Sequence, residues 1–180
     1  MLKITIPARE LYNEADQTFI TTKEQTLVLE HSLLSISKWE SKWHIPFLGK
    51  DEKTYEQQVD YIRCMTITTN VDPKVYYAIP PEQMTQIQEY IQNPMTATTI
   101  TDRGDTRASR EIVTAEIIYY WMKSLEIPFE CEKWHLNRLL TFIRVCNIKD
   151  GPQKKMSKKD TYSQYRALNE ARRKKHNTRG

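Results

Sequence analysis

From residue 32 onward the apolar residues recur at helical spacing and repeatedly meet prolines, a combination that restricts the chain to short helices packed on one another. Leu33, Ile36, Trp39 and Trp43 share one side of a helix that has to end by Ile45, because the residue before Pro46 is driven out of the helical region. A capping box, Thr54 to Gln57, opens a second helix carrying Val59, Ile62 and Met65. Asp72 caps a proline at the next helical start, and Pro81 begins a helix with Met84, Ile87 and Ile91 to one side. Residues 94 to 108, rich in threonine and charge, read as an exposed loop with at most one short strand. Ser109 can then cap a helix in which Ile112, Val113, Ala115, Ile117, Ile118, Tyr119, Trp121 and Met122 surround most of the circumference, which predicts burial on all sides. Pro128 restarts a helix through Phe129, Trp134, Leu136, Leu139, Leu140, Phe142, Ile143 and Cys146. So short a connection predicts an antiparallel pair, and Gly151-Pro152 closes the folded body.

The first 31 residues read differently. Leu2, Ile4 and Ile6 alternate along an extended segment, Asn13-Glu14-Ala15-Asp16 supplies turn residues, and Thr18 to Thr21 reads as the return strand of a small hairpin. Gln25 to Glu30 is either a third strand or part of a helix opened by Thr22-Lys23-Glu24-Gln25. The expected fold class is therefore mainly α. A small N-terminal β element (1–31) joins a helical core (32–150), and a basic helical tail (151–180) follows. Ser157-Lys158-Lys159-Asp160 caps that last helix, which runs from about 158 to 175 with a thin stripe of Tyr162, Tyr165 and Leu168.

Charge divides along the same line. Residues 149 to 180 carry eleven Lys and Arg against Asp150, Asp160 and Glu170, a net +8, while the other 148 residues carry a net −4. A mildly acidic body thus precedes a strongly basic arm. Arg166, Arg172, Arg173, Lys174 and Lys175 suit an acidic protein or, by counterion release, a phosphate backbone. No apolar run approaches the roughly 20 residues of a membrane helix, so no membrane partner is expected. The start does not read as a secretory signal, and Cys64, Cys131 and Cys146 fit reduced thiols of a cytoplasm.

Residues suited to catalysis are few. None of the four glycines belongs to a phosphate-binding loop. Cys131 and His135, spaced i and i+4, would share a helical face, but a closed zinc site needs four ligands, so no metal and no cofactor is expected. Cys131 reads as packed and His135 as a hydrogen-bonded boundary residue, and the chain is not expected to be an enzyme. Glu116, within the most apolar helix, needs a partner, and Arg138 and Arg144 are its candidates. Four tryptophans are chiefly core material. The amphipathic stretch from Trp39 to Phe47, with two large rings four apart, is the leading candidate for partner contact through Trp39, Trp43 and Phe47.

Several stretches resemble a known family. Ser37-Lys38-Trp39-Glu40-Ser41-Lys42-Trp43, Asp60-Tyr61-Ile62-Arg63-Cys64-Met65-Thr66, Pro94-Met95-Thr96-Ala97-Thr98-Thr99, Thr114-Ala115-Glu116-Ile117-Ile118-Tyr119-Tyr120-Trp121 and Glu132-Lys133-Trp134-His135-Leu136-Asn137-Arg138 look like small proteins encoded in the tail-gene region of long-tailed bacteriophages, usually described as tail assembly chaperones. The resemblance runs on to Ala167-Leu168-Asn169-Glu170-Ala171-Arg172-Arg173. It implies a non-enzymatic role in the host cytoplasm during virion building. The partners it implies are the tape-measure protein, kept soluble, and the tail-tube protein, recruited to it. Self-association is compatible with that role. Two other readings are a structural virion protein of the tail or head-to-tail junction, and a nucleic-acid-binding protein acting through the basic tail.

Overall fold

The structure is a computed structural model that describes residues 1–13, 17–100, 112–150 and 158–176. Part of the expected N-terminal turn, residues 101–111 with the Ser109 cap, Gly151-Pro152 and the Ser157 cap lie outside the described residues. The protein is mainly helical with a small antiparallel β element at its N-terminus. It divides into a body, Met1–Asn147, and a C-terminal unit, Ile148–Gly180.

Four strands, β1 (Leu2–Ile6), β2 (Arg9–Asn13), β3 (Thr18–Thr22) and β4 (Gln25–Leu29), form two antiparallel pairs, β1 with β4 and β2 with β3. The expected partner of β1 was the Thr18–Thr21 return strand; its actual partner is β4, so Gln25 onward is strand and the Thr22 box opens no helix. Leu2 faces Leu29 and Ile6 faces Gln25, while Arg9 faces Thr22 and Asn13 faces Thr18. One register thus continues through both pairs. The ladder is interrupted at Pro7-Ala8 and Lys23-Glu24, where Pro7 has no N–H to give. The inner pair alternates as a half-buried sheet should: Ile4, Ile6, Leu27 and Leu29 are buried and Lys3 and Thr5 exposed. At the outer pair Tyr12 lies opposite Phe19, both exposed, with ring centroids 5.2 Å apart. The free side of β4 is covered by the chain leaving the second helix, through Glu30 N–H to the Met65 carbonyl (2.9 Å) and Ile67 N–H to the Val28 carbonyl (2.8 Å).

Helix α1 (Leu33–Trp43) starts at a capping box in which Ser32 and Ser35 satisfy each other's backbone N–H, and α2 (Tyr55–Met65) does the same with Thr54 and Gln57. Asp72 caps a 3-10 turn, Pro73–Ala78, before α3 (Pro81–Gln92). Helix α4 (Ala115–Ser124) packs chiefly against α1, as α2 does. The antiparallel pairing of α4 with its successor is therefore not what organises this region. Burial of α4 is one-sided: Ala115, Ile118 and Met122 are buried, whereas Tyr120 is exposed, as is Ile112 before the helix.

The helix expected from Pro128 to Cys146 is two elements, a 3-10 turn Phe129–Lys133 and α5 (Leu136–Asp150). A tertiary tie causes the break: Leu136 donates its N–H to the His31 carbonyl at 2.7 Å, and Ser32 and His135 form an isolated β-bridge. Asn137, in the first turn of α5, donates to the Ile91 and Asn93 carbonyls at the end of α3 (2.9 and 2.8 Å). Substituting Asn137 by alanine is expected to cost about 1–2 kcal/mol, measurable by urea denaturation, because terminal α3 carbonyls lose their donor. In the C-terminal unit α6 (Lys158–His176) is the expected basic helix, with cations in its last turn.

Candidate functional site

The segment from Trp39 to Phe47 is divided between core and surface. Trp39 is fully buried and donates Nε1–H to the Gln57 carbonyl at 2.9 Å, so it is a core residue rather than the exposed anchor expected. Trp43, half-buried, donates Nε1–H to Asp60 Oδ2 at 2.9 Å. Asp60 also binds Lys42 (2.5 Å) and lies 3.8 Å from Arg63. A small polar cleft of about 240 Å³ is lined there by Lys42, Trp43, Asp60, Arg63 and Tyr77 among others. After α1 the chain turns at His44, whose φ of 55° lies in the left-handed region, and Pro46 directs Phe47 back against the body. The Phe47 ring is 4.0 Å from that of Tyr61 and 5.2 Å from that of Trp39 between centroids.

Glu40 sets this geometry. It is buried on α1; Oε1 accepts the Phe47 N–H and Oε2 the Ala115 N–H, each at 2.7 Å. The capping residue Thr114 makes no side-chain cap, so Glu40 supplies the negative group that the α4 N-terminus requires. Sequence reading placed the buried carboxylate at Glu116, which is exposed; the buried carboxylate of this region is Glu40.

Phe47 forms part of the floor of a groove of about 380 Å³. Tyr61 and Ile62 of α2 and Met84, Ile87 and Ile91 of α3 complete the floor, and Lys50, Asp51, Glu52 and Lys53 stand along one rim. The stripe Met84, Ile87, Ile91 is the apolar face read from α3, half of it core and half groove lining. Tyr61 and Lys53 carry no sequence signal for this role, because only the Phe47 turn brings them together. The Lys53 ammonium sits 4.6 Å from the Phe47 ring centroid and 5.8 Å from that of Trp39. Partial burial lowers its pKa from the ordinary lysine value, and Asp51 acts in the opposite direction. Among the described residues no carboxylate lies within ion-pair distance of it.

The basic arm is built as expected: Arg166, Arg172, Arg173, Lys174 and Lys175 are all exposed on α6, with Lys174 3.8 Å from Glu170. Tyr162, Tyr165 and Leu168 are exposed on the same helix.

Cys131 and His135 do not share a helical face, since the 3-10 turn ends between them; both are buried. Burial pushes the Cys131 thiol up, which lowers the fraction present as thiolate. Among the described residues no group of three or more His, Cys, Asp or Glu can hold a metal ion. His135 instead joins a buried polar cluster. Its Nε2 bonds the Tyr90 carbonyl at 3.0 Å, its ring is edge-on to that of His31 at 5.1 Å, and His31 Nδ1 bonds the Tyr61 hydroxyl at 2.5 Å. Glu30 accepts from the Tyr90 hydroxyl at 2.7 Å. No family model, curated protein or solved structure matches the chain.

Proposed function

We propose that this protein is a non-enzymatic tail assembly chaperone or adaptor of a long-tailed bacteriophage, acting in the host cytoplasm on the tape-measure protein and helping to recruit tail-tube subunits. The observation that carries the reading is the open groove of about 380 Å³, whose floor of Phe47, Ile62, Met84, Ile87 and Ile91 is continuous with the core. A groove of that kind between helices accepts apolar side chains from one face of an amphipathic helix, the recurring mode by which a helical partner is held. The sequence resemblance supplies the identity of the partner, and the cationic α6 offers it a second, electrostatic contact.

Co-expression tests it. The tape-measure protein is expected to become more soluble and to co-purify with this chain, and unchanged solubility with no co-purification would count against the reading. Mass spectrometry of purified virions separates a departing chaperone from a structural component, which would be found in fixed copy number. The exposed cations of α6 favour nucleic acid as a second reading. Affinity for random DNA falling steeply with salt would support it, and negligible binding at about 50 mM salt would end it.

A further inference from the structure

We propose that Lys53 is the specificity determinant of the groove, selecting amphipathic partner helices that carry a carboxylate beside their apolar stripe. The inference rests on the groove being the partner site. Lys53 is half-buried at the rim, its ammonium stacked on Phe47 and close to Trp39, with no carboxylate at ion-pair distance among the described residues. Its carboxylate neighbour Asp51 acts on it from beyond ion-pair distance, so a cation partly stripped of its hydration still gains more from an anionic ligand brought into direct contact than from a neutral one. The apolar floor beside it fixes the rest of the ligand's chemistry. Phe47, Met84 and Ile91 are half-buried, leaving apolar surface for a row of side chains and placing the carboxylate at the edge of that row rather than within it. The volume holds a few side chains, not a whole helix, so the partner lies across the groove with one face inserted.

The test uses the full-length chain and two fluorescein-labelled amphipathic peptides of about 18 residues with identical composition. One carries its single Glu beside the apolar stripe, the other on the opposite face. Equal net charge makes the pull of α6 the same for both. Fluorescence anisotropy is expected to show about tenfold tighter binding of the stripe-edge isomer. Lys53→Gln should level the two, Lys53→Glu should invert the order, and Met84→Glu should weaken both.

Equal affinities for the unmodified protein, no binding of either peptide, or a preference that survives Lys53→Gln would overturn the proposal. Concentration-dependent dimerisation abolished by Lys53→Glu would overturn it too, by giving the groove to a second copy. Co-purification with the tape-measure protein that is insensitive to Lys53→Glu would remove this inference and leave the chaperone reading standing. Isomer discrimination without co-purification would do the reverse.

Discussion

Glu40→Ala is expected to lower the unfolding free energy by about 3–5 kcal/mol, one of the two largest effects foreseen in the molecule. The side chain is buried and each oxygen accepts one backbone N–H at 2.7 Å, from Phe47 and from Ala115. Removing it leaves two donors short of a partner, and the α4 N-terminus loses a negative group where Thr114 makes no side-chain cap. Glu40→Gln keeps the shape but can accept only one of the two bonds while presenting an N–H to the other donor, so it should recover only part of the loss. Urea denaturation of the two variants checks this. A cost below about 1 kcal/mol for Glu40→Ala would show that water replaces the carboxylate. Because Glu40 also holds Phe47, the alanine variant should loosen the groove floor before the protein unfolds.

Acidification gives the second large effect. Burial, reinforced by the neighbouring His135, pushes the His31 pKa down to about 3 from an ordinary 6.5, and burial lowers that of His135 as well. Below pH 6.5 the unfolded chain therefore takes up protons that the native state refuses, and stability falls as the pH falls. For His31 the loss is about 1.4 kcal/mol per pH unit, from about pH 6 down towards pH 3. The cluster contains His135, Tyr61, Tyr90 and Glu30, and Glu30 also lies 3.1 Å from the amino group of Met1. Glu30 holds the Tyr90 hydroxyl and acts on His135 rather than on His31, so it does not rescue a charged His31 ring. Urea midpoints should drop between about pH 7 and pH 5. His31→Asn, which can retain the bond to Tyr61 without titrating, should flatten the profile, and an equal slope in the variant would remove the histidine from the account.

What was legible in the sequence was local. The box at Thr54–Gln57 and the Asp72-Pro73 pair act where they stand, α1 ends just ahead of Pro46, α3 begins at Pro81, and α6 (Lys158–His176) matches the span read for the last helix, whereas the Ser32–Ser35 box that opens α1 was not read from the sequence. What was not legible is non-local. The pairing of β1 with β4 closes across two intervening strands, and the interruption at Trp134–His135 follows from a bond to His31 more than 100 residues earlier. The cap of α4 comes from Glu40 on another helix. Trp39 and Phe47 share an amphipathic stretch, yet one is core and the other groove floor because of the turn at His44. The stripe on α3 showed which side chains face inward but not where their cover ends.

The hairpin at the N-terminus constrains how this gene can change length. Its two ladders obey one count across the gap at Pro7-Ala8 and Lys23-Glu24, so a single unmatched residue on either limb has to be taken up as a bulge or else turns the side chains beyond it to the opposite face. Only compensated edits, the same number added to both limbs, keep the frame. The gap interrupts hydrogen bonding without relaxing the arithmetic of the chain.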